Sequence, residues 1–209
     1  MFSLRNFSDI LRSVSEGLRW PVIIMLIILL AATAVLVGTL IAEIFTERKY
    51  LKANMPELVD RIRDKSNNLE ESIRNGHILK RQEDALIEIT RHKDLTASMR
   101  ESLAVRLLSE EQARYDRRVK VTDFIAKIGP MLGLLGTLIP LGPGIIALGQ
   151  GDTNTLSNSL LTAFDTTVAG LTAAAIALFI SLIRKTWYGN YMSVLETLME
   201  CVLEEENDD

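Results

Sequence analysis

The sequence predicts an all-α membrane protein with three transmembrane helices and extended cytoplasmic helices, and two observations carry that expectation. Apolar and charged residues make up 48% and 24% of the 209 residues, and they are segregated: 18 of the 23 Lys and Arg lie between Glu47 and Lys127. The apolar residues pile up in three blocks poor in charge, each long enough for a bilayer core of roughly 30 Å, which needs about 20 helical residues. Such segregation excludes a uniformly mixed globular chain, and the high apolar content excludes disorder. One cysteine, Cys201, excludes a disulfide framework and any multi-cysteine zinc site, and the two scattered histidines, His77 and His92, have no ligand spacing around them. A formal charge of -4 gives no electrostatic reason to expect nucleic acid.

The elements follow in chain order. In residues 1–19, Phe2, Leu4, Phe7, Ile10, Leu11, Val14 and Leu18 recur at helical spacing, which predicts an amphipathic segment lying along the outer membrane surface. The first span is placed at 20–45, where 23 residues between Arg19 and Glu43 carry no charge. That is too long for a signal-peptide core. Glu43 itself reads as a solvated charge at the interface. Residues 46–124 are polar, with Gly76 the sole glycine and no proline after Pro56, so extended helices are expected there. Leu86, Ile89, Lys93, Thr96, Met99, Leu103, Arg106 and Leu107 trace one periodic face, and the last helix is expected to feed directly into the second span. Arg117, Arg118 and Lys120, close to that span, read as lipid-headgroup contacts.

The second span is placed at 125–148, an outer loop and the start of the next helix at 149–161, the third span at 162–183, and a helical tail at 184–209. In that tail Trp187, Tyr191, Val194, Leu195, Leu198 and Val202 form an apolar stripe that needs a partner surface. Orientation comes from the loops. Residues 149–161 hold no Lys or Arg, whereas Arg48, Lys49, Lys52, Arg61, Arg63 and Lys65 follow the first span. Six basic residues against Arg5, Arg12 and Arg19 put the N-terminus outside and the C-terminus in the cytoplasm.

The uncharged stretch from Ile128 to Gly151, which contains the second span, concentrates seven of the 12 glycines and three of the five prolines. Gly129 and Gly133 form a G-x-x-x-G pair with Gly136 behind it, a pattern that lets helix backbones approach in lipid. Pro140 and Pro143 each forfeit a helix hydrogen bond, which predicts a kink and points toward a polar cavity. The third span is rich in hydroxyls and alanines. One of its faces carries Asp165, Ala169, Thr172 and Ile176; the other carries Ala163, Thr167, Gly170, Ala174 and Ser181. Thr167 lies roughly 20 Å inward from Asn154, and Thr137 roughly 16 Å inward from Leu148, at 1.5 Å per residue. Two hydroxyls thus reach similar depth on neighbouring helices. Intramembrane threonines often serve only to bond their own backbone, and that alternative stays open.

GPMLGLLGT at 129–137 followed by AFDTTVAGL at 163–171 resembles the paired signature of the MotA/TolQ/ExbB proton-channel family. The motifs cover roughly residues 124–181, and the order of elements is similar throughout, closest to the three-span ExbB and TolQ branch. The resemblance implies a ring of five subunits in the cytoplasmic (inner) membrane. The ring surrounds two helices of a single-span ExbD/TolR/MotB-like partner, whose transmembrane aspartate takes up and releases protons. It places the pore-facing threonines at Thr137 and Thr167. Three departures stand out. The outer acidic residue of that branch falls on Thr162, leaving Asp165, one turn inward on roughly the same side, as the available substitute. The proline of the inner third span is missing, and Pro140 and Pro143 are extra. Thr137, Thr167, Asp165 and Thr162 are therefore the candidate ion-path residues, with Gly129, Gly133, Gly136 and Gly170 as packing positions. No cofactor or metal is expected. Enzymatic function fits poorly, since no phosphate loop or nucleophile–base pair is present. The rival reading is a non-conducting membrane scaffold that displays a cytoplasmic helical stalk.

Overall fold

The computed structural model describes residues 13–14, 16–47, 80–92 and 95–207. Among the described residues every regular element is helical, with four long helices: α1 (Arg19–Glu47), α2 (Lys80–Arg91), α3 (Ala97–Gly149) and α4 (Thr153–Asn207). Helices α1, α3 and α4 are each long and apolar enough to cross a membrane. The surface-lying segment before residue 13, the basic run from Arg48 to Lys65, and His77 fall outside the described residues.

The chain divides into two compact units. The apolar one comprises Met1–Thr39 and Lys120–Leu182. Its core joins Val22, Leu26 and Leu29 of α1, spaced four and three residues apart and hence on one face, to Ile125, Leu132 and Ile139 of α3 and Ala173 and Ala177 of α4. Other positions of α1 are apolar and uncovered: Trp20, Ile24, Ile27, Ile28 and Val35 are all exposed. A surface of that size and chemistry is unstable in water and at home in lipid.

Helices α3 and α4 are joined by residues 150–152, and the sequence explains so short a connection. Gly151 has φ 77°, a left-handed conformation that costs a residue with a Cβ about 1–2 kcal/mol. The Gly151 N–H donates to Leu148 O at 3.1 Å and the Asp152 N–H to Ala147 O at 2.9 Å, which satisfies the last carbonyls of α3. Asp152 then caps α4 at once, its carboxylate accepting from the Thr155 N–H at 3.0 Å and from the Thr155 hydroxyl.

The second unit comprises Leu40–Val119 and Ile183–Asp209. Its core is built from Ala85, Leu86, Ile87 and Ile89 of α2, Ala104 of α3, and Leu195, Leu198, Met199 and Val202 of α4. Gln82, buried beside it, donates from Nε2 to Tyr191 O at 2.8 Å. A separate aromatic group packs Tyr115 against Tyr188 at 4.4 Å between ring centroids, with Tyr191 next to both.

One sequence expectation is overturned here. The single periodic face from Leu86 to Leu107 does not exist, because α2 ends at Arg91 and α3 begins at Ala97. Leu86 and Ile89 are fully buried, whereas Met99 is exposed and Arg106 points outward to pair with Glu110. The break lets α2 present its own stripe to α4, while α3 turns Ala104, Leu107 and Leu108 toward the same core. A periodicity count runs through a loop of about one helical turn without registering it. Cys201, which forms no disulfide, packs half-buried against this core.

Candidate ion path and a buried ion cluster

The seam between α3 and α4 in the apolar unit is made of missing side chains. A Cβ placed on Gly129 would stand 2.7 Å from Gly170 O, and one on Gly170 would stand 2.6 Å from Gly129 O, so neither position tolerates alanine without a shift. A Cβ on Gly136 would lie 2.6 Å from the Thr166 Cβ, and one on Gly144 would lie 2.9 Å from the Ser159 Cβ. Gly133 is looser, 3.5 Å from the Thr167 Cα. In lipid no hydrophobic drive separates helix from solvent, so this close approach is the source of attraction. Gly144 and Thr166 were not singled out from the sequence. Thr166 is one turn before Gly170 on the same face, which is the signal that could have found it.

Thr137 and Thr167 flank this seam, and both are half-buried. Thr137 is two positions from Ile139, about 160° around α3, and Thr167 is six positions before Ala173, about 120° around α4. Since Ile139 and Ala173 share a core with α1, both threonines lie toward the side of the α3–α4 seam facing away from α1. Each hydroxyl donates to its own helix, Thr137 Oγ1 to Leu134 O at 2.7 Å and Thr167 Oγ1 to Ala163 O at 3.0 Å. Each oxygen still offers acceptor capacity.

The other two candidate residues do not join them. Thr162 lines a gap of about 10 Å³ with Arg19, Val22, Ile23, Pro140 and Thr166, on the flank facing α1. Five residues of helix, about 140° of rotation, separate it from Thr167. Asp165 is exposed, on the opposite side of α4 from Thr167. Helix α3 stays continuous through Pro130, Pro140 and Pro143. The gap that Pro140 borders has room for about one water molecule, much less than the polar cavity the prolines suggested.

The second unit holds a site that sequence reasoning mistook. Glu43 is not a solvated charge: its side chain is 14% exposed and accepts from three partners. Arg184 grips it with two bonds, Nε to Oε2 at 3.0 Å and Nη2 to Oε1 at 3.2 Å; Arg118 Nη1 adds a contact at 3.2 Å and the Tyr188 hydroxyl another at 3.3 Å. Arg118 therefore serves this carboxylate rather than standing free for lipid headgroups. Arg184 is 3% exposed, so the pair is desolvated and depends on its geometry to be tolerated. No spacing rule connects positions 43, 118, 184 and 188; only the packing of three helices assembles them.

A multi-pass, all-helical membrane protein whose last two spans meet along glycines and carry paired threonines is the class these observations define. The profile of the MotA/TolQ/ExbB proton channel family matches residues 47–197, most of the chain, and the protein belongs to that family. It is also similar to the Biopolymer transport protein exbB1 of Vibrio cholerae serotype O1, with 32% identity over 115 residues, 53% of this chain. The chain spans about half the length of that curated relative.

Proposed function

We propose that this protein is the proton-conducting subunit of a complex driven by the proton motive force, which couples ion flow to mechanical work through a single-span partner. The observation that carries the reading is the position of Thr137 and Thr167, half-buried at the α3–α4 seam on the side away from α1, within a chain of proton-channel family. Five copies arranged with those seams inward would enclose the partner's transmembrane aspartate, with the N-terminus outside and the C-terminus in the cytoplasm.

A carboxylate at the centre of a bilayer costs about 2.5–3.5 kcal/mol on insertion scales, while one charge crossing about 100 mV releases about 2.3 kcal/mol. The partner's acid is therefore neutral among apolar neighbours such as Leu134 and Leu171, and it ionises where threonine hydroxyls and water solvate it. Thr137 and Thr167 suit that task because they donate and accept hydrogen bonds without a charge of their own. Alternation between the two environments turns a ring about an asymmetric partner.

The test is proton uptake into vesicles holding the chain and the single-span protein that co-purifies with it, followed with a trapped pH-sensitive dye under an inside-negative potential. Thr167→Val is expected to abolish uptake while the assembly keeps its size. Undiminished uptake would remove Thr167 from the ion path, whereas a parent chain that takes up no protons would favour the scaffold reading. That reading draws on the fact that both hydroxyls already bond their own backbone.

A further inference from the structure

The strip of α3 and α4 that carries the two threonines leads, at the far end of the apolar unit, to a carboxylate. Among the described residues of that unit Glu16, Arg19, Lys120, Lys127, Asp152 and Asp165 are all exposed, whereas Asp123 is half-buried. Ser181, with no exposed surface, donates its hydroxyl to Asp123 Oδ1 across the α3–α4 seam, and Thr122 next to Asp123 is equally sealed. Asp123 stands fourteen residues before Thr137 on α3, and Ser181 fourteen residues after Thr167 on α4. Fourteen residues make almost four turns, about 21 Å of rise with only about 40° of net rotation. The acid–hydroxyl pair and the threonine pair thus occupy the same strip at two depths. A carboxylate withdrawn from water next to a span is expensive, and such groups mark ion pathways and proton relays.

We propose that Asp123, positioned by Ser181, is a second protonatable station on the ion path. This rests on the conducting role proposed for the threonines. A proton arriving along water from the threonine level leaves its hydronium carrier and forms an O–H bond on an Asp123 carboxylate oxygen; release to water beyond the end of the span breaks that bond and restores the carboxylate. Ser181 serves both states, because its hydroxyl donates to the carboxylate and, once rotated, accepts from the acid. Lys120 and Lys127, within about one turn on α3, are the nearest cations along that helix. On α4 Ser181 donates to Asp123, and Arg184 and Lys185 follow Ser181 by about one turn.

The experiment uses the full chain in vesicles of phosphatidylethanolamine and phosphatidylglycerol, treated with dicyclohexylcarbodiimide, which traps protonated carboxyls shielded from water. Peptide mass spectrometry then locates the adduct. The expected result is modification at Asp123 that declines as pH rises, with the decline displaced in Ser181→Ala. In the vesicle assay Asp123→Asn is expected to slow proton uptake by about a hundredfold, the low end of a general acid–base contribution, and Asp123→Glu to restore most of it. An unmodified Asp123, or an Asp123→Asn variant with full uptake, would overturn the proposal. If either occurs while Thr167→Val still blocks uptake, the conducting role stands and only the second station falls. Unimpaired uptake in Thr167→Val would instead remove the conducting role on which it rests.

Discussion

At the scale of single residues, what a side chain does here depends on what it has lost: water, or room. Glu43 shows the first case. Its carboxylate neutralises Arg184, which is 3% exposed, so Glu43→Gln leaves a guanidinium desolvated beside a neutral amide. Removing one member of a buried ion pair costs about 3–5 kcal/mol. We expect Glu43→Gln to lower the thermal midpoint of the detergent-solubilised protein substantially, and Glu43→Gln combined with Arg184→Leu to recover part of the loss. A Glu43→Gln variant as stable as the parent would show that the cluster is worth nothing. Gly129, Gly136 and Gly170 show the second case, since the nearest atoms across the seam leave no volume for a methyl group. The packing role of Gly129 was legible from its G-x-x-x-G spacing to Gly133, with Gly136 close behind, while the importance of Glu43 was not. A charge at the end of an apolar run looks the same whether water or two arginines follow it.

At the scale of elements, the turn between α3 and α4 concentrates local chemistry into residues 150–152. Hydrogen bonds from Thr155 hold the Asp152 carboxyl below its ordinary value of 3.8. A lowered value in the folded protein means that the cap contributes fully above about 3.8 and is lost as pH falls through the lower folded value. Hydrogen exchange of the first turn of α4 should therefore be independent of pH-linked opening near neutrality. Protection should fall under acidic conditions, and Asp152→Ala should show the weakened protection at every pH. A mutant indistinguishable from the parent near neutrality would discount the cap. Helix α2 makes a different point. The apolar stripe of α4 from Tyr191 to Val202 could be recognised in the sequence as needing a partner, but the identity of that partner could not. Leu86 and Ile89 meet it because the chain breaks between Arg91 and Ala97, and that break carries neither proline nor glycine.

For the whole molecule, orientation is the prediction with the widest consequence. Residues 149–161 have no Lys or Arg, and the cost of moving basic residues across a charged membrane favours leaving the basic segments behind. In a Cys201→Ser background, Gln150→Cys is expected to react with a membrane-impermeant maleimide added to intact cells, and Glu196→Cys only after the membrane is opened. The reverse pattern would invert the proposed direction of proton flow and move Asp123 from the exit to the entrance. Three membrane-crossing helices and their order were readable because the hydrophobic threshold for crossing a bilayer depends on composition over about 20 residues and on little else. The matching depth expected for the threonines at 137 and 167 rests on rise per residue alone. Their separation from Thr162 and Asp165 depended on which faces of α3 and α4 turn toward α1, and three helices in mutual contact settle that together.

Periodicity, glycine spacing and charge distribution are local properties, so they were enough to establish an all-helical membrane chain, its family signature and its close-packed seam. The Glu43–Arg118–Arg184–Tyr188 cluster and the Asp123–Ser181 pair join positions 58 to 145 residues apart. Desolvation acts on atoms that meet in space whatever their distance along the chain, and those meetings arise only when the helices pack.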